Sequence, residues 1–418
     1  MARPSYRREL LAWSLLPVMM GALEGGVVGT IATRAFVGVA SQASIDLAVA
    51  IIIGAGASAN LSSALWASLA SGRNKVRALV LLQIATALCA AVPAILPISS
   101  IGLLMLTASV VLARVFWCGV VTVRTSVWAA NWTRDVRARV TGRIMVMSAI
   151  AAAMTGLLFG GVLDRDPEAF RWLFPSAALF GLAGAAVYAR IRVRRHAALQ
   201  QSERNTTPNS GLLPRNLARP LIQNRPFRRF MACLFVLGSG NMMVDAPLVL
   251  ALNTRFSTDY LLSIAIVSSI PIITMPLAVG LWSRLLDRVH VVRFRAVHSW
   301  AFVVSNLMLL IGIALASMPI VIVAAVVRGV GYAGGVLAWN LGHHDFAPPG
   351  ESGRYMGTHV TLTGIRGLCA PLLGVFLWQW LGWSAFALPL MLSLAGALGF
   401  LALARRWSQI PQNTVLQG

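Results

Sequence analysis

Apolar residues in this chain come in long runs, and short polar and basic connections divide them. A helix needs about 20 apolar residues to cross a ~30 Å hydrocarbon layer. Twelve runs of that kind begin near Leu10, Ile45, Ala78, Ile101, Arg143, Arg171, Phe230, Tyr260, Ala296, Pro319, Tyr355 and Trp383. The pattern predicts an all-α integral membrane protein with twelve transmembrane helices. The first run is too long, and too Gly-rich at its end, for a cleaved signal peptide, so it is read as the first span.

Composition agrees. Of 418 residues 57% are hydrophobic and only 11% charged, against about 25% charged in an ordinary soluble domain; mean hydropathy is +0.74. A formal net charge of +22 raises the question of nucleic acid, and the placement of that charge answers it. With the N-terminus cytoplasmic, 27 of the 35 Lys and Arg residues fall in connections on that side, 4 on the other, and 4 within helices. That asymmetry is the positive-inside rule, with both termini cytoplasmic. The charge is read as topology, and no nucleic-acid partner is expected. Cys89, Cys118, Cys233 and Cys369 fall in apolar runs without C-x-x-C spacing and read as small core residues.

Met19 to Gly29 places one carboxylate, Glu24, mid-way along the first run and spaces Gly21, Gly25 and Gly29 by four. An ionisable group at that depth is costly, so it faces protein or a wet cavity. The arrangement recurs 221 residues later at Asp245, and each acid is followed ten residues on by an arginine, Arg34 and Arg255. Further echoes keep nearly the same offset. Leu65-Trp66 matches Leu281-Trp282, Arg114 matches Arg328, Arg139 to Gly142 matches Arg354 to Gly357, and Gly156 to Gly160 matches Ala370 to Gly374. The chain therefore reads as a duplication: a six-helix bundle over 1–190, a basic Pro-containing cytoplasmic linker over 191–228, a second bundle over 229–406 and a cytoplasmic tail over 407–418.

Two halves of six helices with a substrate site where they meet are a recurrent plan of secondary transporters, and here the chain resembles the major facilitator superfamily. The family's basic loop between helices 2 and 3 resembles ASLASGRNKVR, with Ser71 at the place of its Asp; the second-half loop SRLLDRVHVVR keeps Asp287-Arg288. Its helix-4 Arg looks like Arg114 in LARVFWCG, and its exporter motif in helix 5 resembles Gly156-Leu-Leu-Phe-Gly160-Gly161 without the Pro. The resemblance implies two pseudo-twofold-related six-helix bundles, with helices 1, 4, 7 and 10 lining a central cavity. Glu24 would then lie near Arg114 and Asp245 near Arg328. Arg73, Asp287 and Arg288 would form a cytoplasmic gate.

An arginine keeps a neighbouring carboxylate ionised. If substrate competes for the Arg, the carboxylate takes up a proton, so Glu24 and Asp245 are candidate proton-coupling groups and Arg114 and Arg328 candidate substrate contacts; otherwise each pair is a static buried bridge. Arg366 in THVTLTGIRGLCAP has no first-half counterpart, the offset landing on Ala152. With His359 it either meets an asymmetric ligand such as an organic anion or bonds backbone carbonyls at a Gly-kinked stretch. Asn241 lies one turn before Asp245 and is taken toward the same cavity. Gly21, Gly25, Gly29, Gly156 and Gly160 read as close packing of helix 1 on helix 5. His343-His344-Asp345 reads as a helix end, since adjacent His side chains point about 100° apart. No metal or cofactor is expected, and no P-loop, G-x-S-x-G or H-E-x-x-H motif supports an enzyme. The expectation is a monomeric small-molecule transporter of a prokaryotic cytoplasmic membrane, proton-coupled and leaning to efflux. An organic-anion importer or uniporter, and a non-transporting sensor or assembly factor, stay open beside it.

Overall fold

The computed structural model describes residues 3–205, 214–348 and 351–407, and every regular element among them is helical. Span 1 is two helices, α1 (Arg3–Ala22) and α2 (Gly25–Ala35). Span 2 is α3 (Gln42–Ser58), a 3-10 turn and α4 (Ser63–Ala70). Spans 3 to 6 are α5 (Lys75–Ala91), α6 (Ser100–Asn131), α7 (Arg134–Leu163) and α8 (Phe170–Tyr188). The linker carries α9 (His196–Asn205) and α10 (Pro214–Gln223). Span 7 is α11 (Arg225–Thr254); span 8 is α12 (Tyr260–Ile264), a π-turn (Ala265–Ser269) and α13 (Ile270–Leu286). Spans 9 and 10 are α14 (Val291–Ala314) and α15 (Met318–Leu341). The last apolar stretch, Ser352–Arg406, has 55 residues. That is about 80 Å of helix and too long for one crossing. It divides where Gly382 takes φ +55°, which ends α16 (Ser352–Leu381) before α17 (Ala387–Trp407). Twelve crossings result among the described residues.

The outward faces are apolar: Leu277 is 81% exposed and Ile95 77%. In water such surface would drive association; here it is the lipid face. Starts of several helices are set locally. The side chains of Ser41, Asn74, Ser99 and Asp259 each accept a hydrogen bond from a backbone N–H in the first turn of the helix that follows.

By packing, the chain forms two compact units. One holds the residues before the linker's undescribed stretch together with Leu248–Ile273; the other holds α10, the first part of α11 up to Pro247, and everything from Thr274 onward. The duplication in the sequence assigns all of spans 7 and 8 to the second half, whereas their outer parts pack with the first. Both spans are weakened near the division, span 7 by Pro247 and span 8 by the π-turn.

Inside the first unit the glycine rows pack closely, but not on each other. A Cβ at Gly21 would strike Ala152 on α7, whereas one at Gly25 would crowd Ile53 on α3, and Gly29 lies at ordinary contact from Val249 and Val49. The break after Ala22 turns the later glycines away from α7. Gly156 and Gly160 instead receive span 8: a Cβ at Gly160 would lie 2.6 Å from the Cα of Leu261, and one at Gly156 2.9 Å from Ser269 Oγ. Asp164 fixes this seam by accepting the N–H of Tyr260 at 2.6 Å and of Leu261 at 3.1 Å, a carboxylate at a helix N-terminus. The guanidinium of Arg34 stands 4.7 Å over the Tyr260 ring, and Asn253 donates to the carbonyl of Thr33.

The seam predicts a contrast between neighbours. Gly160→Val should lower stability by about 1–3 kcal/mol through overpacking. Gly161→Val, where a Cβ meets nothing within 4 Å, should be nearly silent. Thermal unfolding in detergent reads both; equal losses at the two positions would show that the seam is loose.

Candidate functional site

The first half builds its charged centre on a broken helix. Residues Gly21 to Gly26 include three glycines, poor helix formers, and the chain leaves the helix at Glu24, with φ −62° and ψ 139°. The break puts Glu24 at the start of α2, beside the helix's positive end, where its side chain caps no N–H. It also frees the Leu23 carbonyl. Arg114 on α6 answers both needs, donating from Nη2 to the Leu23 carbonyl at 2.7 Å and to Glu24 Oε2 at 3.0 Å. The Glu24 side chain stays 39% exposed and that of Arg114 14%. The carboxylate is therefore held without being sealed.

The second half reaches the same pairing without a break. Asp245 lies in continuous α11, and Arg328 on α15 meets Asp245 Oδ1 at 2.6 Å, the Asn241 carbonyl at 2.8 Å and the Tyr332 hydroxyl at 2.8 Å. Here the arginine is sealed, at 3% side-chain exposure, and the acid is 23% exposed. Each arginine-bearing helix is anchored by an indole from its own half. Trp66 Nε1 donates to the Val115 carbonyl at 2.9 Å and Trp282 Nε1 to the Val330 carbonyl at 2.8 Å. Both indoles seat against a glycine, Gly119 or Gly334, where a Cβ would collide with the ring.

The other expected residues are placed differently. The Asn241 carbonyl receives Arg328, while its side-chain oxygen faces Asn306 Nδ2 and Ser393 Oγ, each at 3.4 Å, inside the second bundle. The amide is drawn to that polar network on α14 and α17, and only its backbone joins the Asp245 centre. Arg366 is buried and makes no ion pair among the described residues. Its Nη1 donates to the Leu234 carbonyl at 2.6 Å and its Nη2 to Thr363 Oγ1 at 2.9 Å. Bare Gly238 on α11 leaves room for the guanidinium, which a Cβ would displace. His359 is buried with its ring 5.6 Å from that of Trp339.

Residues 9–361 match the sequence model of the Major Facilitator Superfamily. The chain belongs to that superfamily. No curated protein matches its sequence. Among solved structures, the nucleoside transporter NupG superposes with a TM-score of 0.71 at 13% identity, over 95% of this chain and 99% of that one. A D-xylose-proton symporter gives 0.71 at 12% identity, over 99% and 98%. The human organic anion transporter MFSD10 (TETRAN) gives 0.64 at 17%, over 96% and 99%. At these identities the likeness is one of fold. Membership makes this chain a multi-pass membrane transporter and not an enzyme.

In the superfamily's loop between spans 2 and 3, Arg73 is exposed and Ser71 stands where the family has Asp. A carboxylate arrives there from elsewhere: Glu203 on linker helix α9 meets Lys75 Nζ at 2.6 Å and accepts the Gly72 N–H at 2.7 Å, Gly72 holding φ +65°. Asp287 and Arg288 are exposed and form no ion pair among the described residues. In that loop Asp345, from beyond α15, takes the Val291 N–H at 2.8 Å and lies 3.8 Å from His290. Lys75 and His290 are 215 residues apart, so one duplicated position carries the base in both loops.

Sequence reasoning located only Glu24, Asp245, Arg114, Arg328 and Arg366 as deep charges. The structure adds Glu9, Asp46, Lys75, Arg124 and Arg295 as buried. Arg124 stands 4.2 Å from the Trp13 ring and 4.1 Å from Trp128, whose indole donates to Glu9. A usable signal was the length of α6, 32 residues. At about 48 Å it exceeds the bilayer, so residues assigned to its cytoplasmic end could still lie within the bundle.

These contacts set two expected outcomes. Arg328→Leu strands a partly buried carboxylate and should cost up to about 3 kcal/mol, while Arg328→Leu with Asp245→Leu recovers most of it; equal losses for single and double variants would mean the pair is not coupled. Outside the spans, burial pushes His343 down from 6.5 to about 4, and neighbouring His344 adds to this against Asp345. The folded state thus favours neutral His343. Its contribution is whole above about pH 6.5 and is lost as pH falls toward 4. In melting curves from pH 7 to 4.5, His343→Gln should flatten that decline.

Proposed function

We propose that the chain is a secondary active transporter that moves a small molecule by alternating access, coupled to protons through Glu24 and Asp245. The observation that carries this is the Glu24 carboxylate, set at a break in mid-span, paired with Arg114 and left partly accessible. A structural bridge gains from being sealed and satisfied; a coupling group has to be reachable by water and able to change partner. Asp245 with Arg328 repeats the chemistry in a tighter setting, so we assign Glu24 the main coupling role and Asp245 a supporting one. Arg114, Arg328 and the Asn241 backbone are the proposed substrate-side contacts. The substrate class stays with small polar molecules of the kind named for the structural relatives, nucleosides, sugars and organic anions among them.

The seam of α7 with α12, closed by Asp164 and Gly160, supports a moving part: an alternating cycle would have to release it, and Pro247 and the π-turn mark where spans 7 and 8 can bend. Arg73, Asp287 and Arg288 lie exposed on the two loops that the family uses as its gate, and Glu203 supplies to the first loop the carboxylate that Ser71 lacks. The lean to efflux rests on the Gly156, Gly160 and Gly161 pattern alone. We place the protein in a prokaryotic cytoplasmic membrane with both termini inside, following its Lys and Arg distribution. The second reading, a carrier of organic anions, is favoured by buried Arg366, which forms no ion pair among the described residues.

Melting of the purified protein against nucleosides, pentoses, dipeptides, organic anions and cationic drugs, at pH 6 and pH 8, tests this. A ligand at one hundred times its Kd adds about 2.7 kcal/mol. A shift larger at pH 6 identifies co-binding with a proton, and one larger at pH 8 identifies competition, as in antiport. Glu24→Gln should erase the difference between the two pH values while leaving a folded protein. An unchanged pH dependence in that variant removes Glu24 from coupling.

A further inference from the structure

Arg366 has a neighbour of the same sign. Arg295, one turn into α14, is buried, and it, Arg366 and His359 lie near enough to feel one another's charge. Among the described residues neither guanidinium forms an ion pair. Among the described residues Arg295 makes only long hydrogen bonds, 3.4 Å to His298 Nδ1 and 3.5 Å to the Gly335 carbonyl. An arginine cannot shed its proton to escape, so two unneutralised guanidiniums in a low-dielectric bundle carry a large desolvation cost. Three buried nitrogens in the group have no hydrogen-bond partner among the described residues: Arg295 Nε, Arg366 Nε and His359 Nε2. They come from α14 and α16, with Trp339 of α15 against His359 and reaching Thr363 Oγ1 at 3.5 Å.

We propose that Arg295, Arg366 and His359 hold a compact monovalent anion inside the second bundle. The unpartnered nitrogens are one from each side chain. Arg366 gives one hydrogen of each terminal nitrogen to Leu234 and Thr363, which leaves Nε as its one nitrogen without an acceptor among the described residues. Single donors from separate side chains suit one acceptor centre, a halide ion or one oxygen of a small carboxylate. The bound charge would neutralise part of the excess and tie α14 to α16. The site shares Arg366 and His359 with the anion-carrier reading, yet it depends neither on which solute is carried nor on proton coupling.

Full-length protein in uncharged detergent and gluconate buffer, titrated separately with chloride, bromide, formate and sulfate at constant ionic strength, tests the inference. A saturable rise in Tm is expected with chloride and bromide, or with formate, and not with sulfate; which of the two groups acts separates a halide site from a carboxylate site. Arg295→Gln and Arg366→Gln should each weaken half-saturation at least about tenfold, the worth of a charge-assisted hydrogen bond. Glu24→Gln should keep the anion response whatever it does to proton linkage, which separates this inference from the transport reading. Should the arginine variants fail to fold, indole emission in the wild type reports instead: an anion-dependent change that Trp339→Phe removes supports the site. No saturable rise with any of the monovalent anions, a rise equal with sulfate, or a response unchanged in both arginine variants overturns it.

Discussion

A guanidinium that cannot lose its proton needs acceptors wherever the fold buries it, and in this protein that need shapes the deep contacts of four arginines. Arg114 takes a carboxylate and a carbonyl released by a broken helix. Arg328 takes a carboxylate, a carbonyl of an unbroken helix and a tyrosine hydroxyl. Arg124 takes two indole faces, an aromatic alternative to water. Arg366 takes a carbonyl that a glycine lets it approach. The arginines sit where backbone is exposed or made exposable, so Gly21, Gly25, Gly26 and Gly238 belong to the same design as the charges.

Duplication supplied two copies of this design, and they have diverged in ways that bear on their roles. Trp66 and Trp282 still make the same hydrogen bond to the arginine-bearing helix, over the equivalent glycines. Lys75 and His290 still stand at one position, but their carboxylates come from unrelated places, the linker helix for one and the end of α15 for the other. The centres differ most. A broken helix leaves Glu24 partly open, whereas Asp245 in a continuous helix lies against a sealed arginine. Accessibility, more than charge, separates a group able to exchange a proton from one that holds helices together.

Packing and ancestry also draw different boundaries. The outer parts of spans 7 and 8 descend with the second half, yet they lie against α2, α3 and α7 of the first. What makes this possible is local. Pro247 removes one backbone donor from α11, and the π-turn at 265–269 loosens the ladder of span 8, so each helix can belong to one body at one end and another at the other.

Much of the architecture was legible from sequence because lipid imposes it directly. A span needs about twenty apolar residues, basic residues collect on one side, and a carboxylate in mid-run stands out against that background. Twelve crossings, the duplicated halves, and the four residues Glu24, Arg114, Asp245 and Arg328 were all visible on those terms. Burial near the ends of the spans was not. Arg295 and Glu9 sit where a linear reading sees a basic or polar flank, and only the neighbouring helices decide that they point inward. Partners escaped for the same reason. Gly156 and Gly160 announce a close approach without saying of what, and span 8, through Ser269 and Leu261, makes the tightest contacts there while the break at Glu24 turns the glycines of α2 elsewhere. Solvent cost is a property of each residue and its run, so the chain alone sets which segments enter the membrane. Which side chains share an interior depends on rotation and register between helices, and those arise only when the helices pack.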